Sequence, residues 1–76
     1  MSAEISRKVH NIMAREMGQM GKFIVTKQCN NLDLDENNIE MADLPELSKV
    51  LAEVMKTFGG DEKARRIKLE IKQLGQ

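Results

Sequence analysis

Apolar residues recur at three- and four-residue steps along three stretches of this chain, and each stretch reads as an amphipathic helix. In the first, Ile5, Val9, Ile12, Met13, Met17, Met20 and Ile24 form one stripe, which predicts a helix over about residues 2–30. Glu4 stands four residues before Lys8, the favourable order for a helical ion pair. Gly18 and Gly21 weaken this helix, each by about 1 kcal/mol relative to Ala. The stripe keeps its phase across them, so the expectation is one long helix, bent at most; the alternative is a break into Ser2–Met17 and Lys22–Asn30.

The second stripe, Leu47, Val50, Leu51, Val54, Met55 and Phe58, predicts a helix over 44–58. Asp43, Pro45 and Glu46 supply an N-cap, a first-turn proline and a capping-box partner. Gly59-Gly60 stops it, with a glycine suited to a left-handed C-cap. The third stripe, Ala64, Ile67, Ile71 and Leu74, predicts a helix over 61–74 that Asp61 caps. No segment alternates with period two over a useful length. The one β-leaning run, Phe23-Ile24-Val25-Thr26, has no hairpin partner nearby.

Residues 31–43 between the first two helices read as an acidic loop, rich in Asn and Asp, which favour turns. Ile39 and Met41 are apolar islands able to anchor it. The pattern predicts an all-α protein with a single domain over 1–76. Its architecture is a small three-helix bundle, four if the first helix breaks, with a long N-terminal helix and a C-terminal helical hairpin.

Composition narrows the function classes. With 76 residues, the chain buries roughly 60% of its unfolded surface, and such small cores often gain stability by oligomerising. The lone cysteine, Cys29, cannot close an intramolecular disulfide, which suggests a reducing compartment. No apolar run approaches the ~20 residues of a membrane span, and no signal-peptide core is present. The expectation is a cytoplasmic protein with no membrane association.

Net charge is zero but unevenly spread: +3 over residues 1–30, −6 over 31–48, +1 over 49–60 and +2 over 61–76. A dedicated nucleic-acid binder is usually net basic, and this chain has two Phe and no Trp or Tyr for base stacking. The basic face of the last helix, Lys63, Arg65, Arg66, Lys68 and Lys72, is the one candidate for such contact. Glu62 and Glu70 lie among those bases, and Glu62 has ordinary ion-pair spacing to Arg66.

The acidic loop invites a calcium reading that its spacing does not support. In a register starting at Asp33, Asp35 and Asn37 fill the third and fifth ligand positions. The sixth falls on Asn38, and the twelfth, which should supply a bidentate Glu, falls on Leu44. A start at Asn31 puts Ala42 there. Calcium is not expected, and neither is any other metal or cofactor.

Gly18-Gln19-Met20-Gly21 has the glycine spacing that clamps a nucleic-acid backbone in KH domains, but that fold requires strands that this pattern lacks. Inside a helical pattern, such spacing more often permits close helix approach or a bend. His10 has no acidic or histidine neighbour three or four residues away, and Cys29, though near enough to Lys27 for mild activation, is expected to be a small buried or half-buried core residue. No set of groups suited to catalysis assembles, so the chain is expected not to be an enzyme.

Six methionines are present, and Met13, Met17 and Met20 cluster on the first helix. A straight helix of that length spans about 43 Å, more than the shorter helices cover unless they stack end to end. Uncovered Met13, Met17, Met20 and Ile24 would then meet a second chain. The functional expectation is a non-catalytic helical interaction or dimerisation module, its partner a second copy or another helical protein. The alternative is a nucleic-acid-binding accessory domain.

Overall fold

The computed structural model describes residues 2–75. Three α-helices follow one another: α1, Ser2–Met17; α2, Gln19–Asn31; and α3, Leu44–Gln73, preceded by a 3₁₀ turn, Met41–Asp43. Among the described residues there is no strand, so the β-leaning run at Phe23 lies in α2. The all-α expectation holds.

The long first helix does not form. Gly18 has φ 62° and ψ −137°, a conformation open to glycine, and the chain reverses there between Met17 and Gln19. The reversal shortens the molecule: its longest dimension is 31 Å, where a straight helix would have spanned about 43 Å. Folded back, α2 crosses α1 where Gly21 meets Met13. A Cβ on Gly21 would lie 2.4 Å from the Met13 carbonyl oxygen, so the missing side chain lets the two backbones touch.

Helix α3 is itself interrupted. Gly60 has φ 86° and ψ 172°, and the chain folds there into two arms, 44–59 and 61–73. Leu44 and Gly75 meet at the far end of these arms, so they form the predicted C-terminal hairpin. Two hairpins, each turned on one glycine, pack around a common core.

That core contains Val9 and Met13 of α1, Val25 and Cys29 of α2, and Leu47, Leu51, Met55, Ile67 and Ile71 of α3, all fully buried. Ile39 is also fully buried and anchors the loop, whereas its companion Met41 is exposed. The Ile39 backbone N–H donates to buried Ser6 Oγ at 2.7 Å, tying the loop to α1. Ser48 is buried as well, its hydroxyl donating to the Pro45 carbonyl at 2.8 Å.

The acidic segment is a set of local caps. Leu34 N–H donates to Cys29 O (2.7 Å) and Asp33 N–H to Asn30 O (3.2 Å), the paired bonds of a Schellman ending, with Asp33 at φ 61°. Asp35 Oδ1 accepts from Asn37 N–H at 2.9 Å. The capping box sits one turn earlier than expected, joining Glu40 and Asp43 around the 3₁₀ turn rather than Asp43 and Glu46. Asp43 makes no side-chain cap bond to α3, because its carboxylate is already turned back to the Glu40 N–H.

Candidate functional site

Both phenylalanines of the chain lie at the surface. Phe23 is 67% exposed and Phe58 59%, and Met20 beside them is 50% exposed. They share one shallow groove of about 410 Å³ between α2 and the first arm of α3. Its walls come from Met20, Phe23, Ile24 and Lys27 on one side and Val54 and Phe58 on the other. Each wall is a helical stripe, spaced three and four residues apart, so the groove runs along the two helices.

The four residues expected to meet a partner divide between core and groove. Met13 is fully buried under Gly21, and Met17 is half-buried against the core. Met20 and Ile24 line the groove, Ile24 as a nearly buried floor. The reversal at Gly18 accounts for this: α1 and α2 cover one another, so the expected uncovered stripe on a long helix does not exist.

The sequence pattern missed Phe23, assigned to a short β-leaning run, and placed Phe58 in the core stripe. Once α2 is a separate helix, Met20, Phe23 and Lys27 fall on a face distinct from buried Gly21, Val25 and Cys29. The available signal was that second face. Phe58 lies in the last turn of the first arm, two residues before Gly60, and stays outside the core.

The expected basic face is partly consumed by internal ion pairs. Arg66 Nη2 donates to Glu16 Oε1 at 2.8 Å, Lys63 Nζ stands 3.9 Å from the same oxygen, and Arg15 reaches both Glu16 and Glu70. Arg66 therefore pairs across to α1, not with Glu62. The Glu16 side chain is only 9% exposed. The Arg66 hydrogen bond holds its carboxyl below the ordinary value, against burial, which works the other way.

Arg65 and Lys68 of the expected face line a second groove, about 430 Å³, between the arms of α3. Lys49 and Lys56 face Arg65 and Lys68 there over a floor of Ala52 and Ala64. Glu53 and Asp61 lie in the same groove, so its field is only moderately positive. Lys72 is exposed elsewhere on the second arm.

His10 gains a partner that its sequence neighbourhood did not offer. Glu36 Oε1 lies 3.8 Å from His10 Nε2 and accepts from Thr26 Oγ1 at 3.0 Å. This pins the loop across α1 and α2. Cys29 is fully enclosed, and its thiol is pushed up to about 11, first by burial and then by the charges of Glu36, Asp43 and Asp35. Cys29 is thus the buried core residue expected of it, and proximity to Lys27 brings no activation: the thiol is held protonated and shielded.

Among the described residues no three His, Cys, Asp or Glu side chains gather as metal ligands. No helix among them is long and apolar enough to cross a membrane. The chain matches no family model, no curated protein and no solved structure.

Proposed function

We propose that this chain is a non-catalytic helical protein-interaction module that docks a second copy or another helical protein on the groove between α2 and α3. The observation that carries this reading is that both phenylalanines, with Met20, stand exposed on one groove. Exposed apolar groups scattered singly are ordinary, whereas aromatic residues gathered on one concave face resemble the anchor pockets of interfaces. The bases and acids nearest to reactive chemistry, His10, Glu36 and Cys29, are engaged in holding the loop or enclosed in the core.

A photo-crosslinking amino acid placed at position 23 or 58, with a control at position 65, tests this in extract of the source cells. Protein adducts at 23 and 58 that are absent from the control are expected. Equal labelling at all three positions would remove the reading. Light scattering decides the copy: a strict monomer at millimolar concentration leaves only another protein as partner.

The convergence of Lys49, Lys56, Arg65 and Lys68 supports a second reading, nucleic-acid contact along the arms of α3. A gel shift with random DNA and RNA at low salt, where phosphate attraction is strongest, is the check. Absence of any shift there removes this alternative.

A further inference from the structure

We infer that the occupant of the Phe23–Phe58 groove is one amphipathic helix of another protein, apolar along a single stripe and acidic on its flank. The inference rests on the interaction-module reading and names the partner's chemistry. Shape is its first support. Met20, Phe23, Ile24 and Lys27 occupy relative positions 0, 3, 4 and 7 on α2, a stripe about 10 Å long. Val54 and Phe58 form the facing wall. A trough of two helical turns between two helices accepts a third helix through its own side chains at i, i+3 or i+4, and i+7.

Charge selects the kind of helix. Lys27 is the one charged residue that lines this groove, and residues 19–31 of α2 carry no carboxylate; Lys22 lines a separate pocket beside His10 and Glu36. The facing wall adds only uncharged Val54, Thr57 and Phe58. A second copy seated through the same face would bring Lys27 towards its own counterpart, whereas an acid-flanked helix meets it with opposite charge. The chain's own acidic tip cannot fill its own groove. Exposed Met41 sits at the start of the arm that ends near Phe58, seventeen residues or about 25 Å away along the helix.

A bilayer surface fits less well. It is flat where the groove is concave, and one lysine contributes little to anchoring on anionic lipid.

The test uses the whole chain and two fluorophore-labelled synthetic helices of about fourteen residues, long enough to span the groove. Both carry leucine at i, i+3, i+4 and i+7; one has glutamate on its flanks, the other lysine. Anisotropy should show the acidic peptide binding more tightly at low salt, with affinity falling as salt rises. Phe58→Ser should weaken it roughly tenfold or more, as loss of an aromatic anchor does. Lys27→Glu should weaken the acidic peptide roughly fivefold and strengthen the basic one. Both residues are exposed, and circular dichroism of each variant checks that the fold is retained.

Equal binding of the two peptides, binding of neither, or binding indifferent to both substitutions would overturn the inference. So would self-association of the wild type that Phe58→Ser abolishes, which would seat a second copy in the groove. Uptake onto phosphatidylserine vesicles, lost in Phe58→Ser, would assign the groove to a membrane instead. The crosslinking result at positions 23 and 58 is independent of these arms. Protein adducts there, combined with peptides that bind equally, would keep the module and discard the acidic helix.

Discussion

The N-terminal hairpin reverses at Gly18 and the C-terminal hairpin at Gly60, and in each a single residue of positive φ separates two helical segments. Beyond the corner they differ. In the first, Gly21 of α2 lies directly on the Met13 backbone. In the second, the arms of α3 meet across Ala52 and Ala64, so a methyl group stands on each side. One hairpin is closed by backbone contact, the other by small side chains. Backbone cannot rotate out of the way of an added atom, so the N-terminal hairpin should be the less tolerant of change.

Gly21→Ala breaks this comparison most directly. Its new Cβ would meet the Met13 carbonyl at 2.4 Å, and the helices must part, at a cost of about 3 kcal/mol. Gly18→Ala and Gly60→Ala have open space for the methyl group and impose backbone strain alone, about 1–3 kcal/mol each. Urea denaturation of the three variants should therefore rank Gly21→Ala lowest. If it equals the corner variants, the close crossing is not what holds the first hairpin.

The same contrast explains what could be read along the chain. Gly59-Gly60 followed by Asp61 announced the second corner, because two glycines and a polar residue coincide with a gap in the apolar stripe. Gly18 and Gly21 marked only a weak point, with a break as the alternative to a continuous helix. A one-residue reversal leaves Met17, Met20 and Ile24 in helical phase, so periodicity alone reads straight across it. The core stripes of α3 were legible, since Leu47, Leu51, Met55, Ile67 and Ile71 all reach the interior. The groove was only half legible: Met20 and Ile24 were flagged, but for a surface that a long helix would have left bare. Phe23 became visible as a wall residue only after α2 turned back. The contact of His10 with Glu36 depended on a loop returning across 26 positions, which local spacing cannot show.

Glu16 joins the two hairpins, reaching from the end of α1 to Arg66 and Lys63 on the second arm of α3. Its carboxyl is held below the ordinary value of 4.5, chiefly by the Arg66 hydrogen bond. A depressed carboxyl contributes stability that is fully present above pH 4.5 and is lost as pH falls through the lower folded value. Glu16→Gln should destabilise the protein at neutral pH by less than any of the glycine substitutions, because solvent screens the exposed arginines. The gap between wild type and variant in thermal melts should close as pH falls below 4.5. A gap that stays constant with pH would show that packing of the side chain, not its charge, joins the hairpins.

Asp33 is the third residue of positive φ and the only one among the described residues that is not glycine. It occupies the left-handed position that closes α2, where the Leu34 and Asp33 N–H groups cap Cys29 and Asn30. A side chain there opposes the backbone conformation, and its negative charge sits unfavourably at the C-terminal end of a helix dipole. Asp33→Gly relieves both, offset by the greater freedom of glycine in the unfolded chain. The expected net effect is a gain of about 0.5–1 kcal/mol, read as a higher urea midpoint with an unchanged slope. Asp33→Asn, which removes the charge and keeps the branched side chain, should recover only part of it. A loss of stability in the glycine variant would mean that the Asp33 carboxylate does something for the loop beyond tolerating its turn, and that the two glycine corners are no guide to the third.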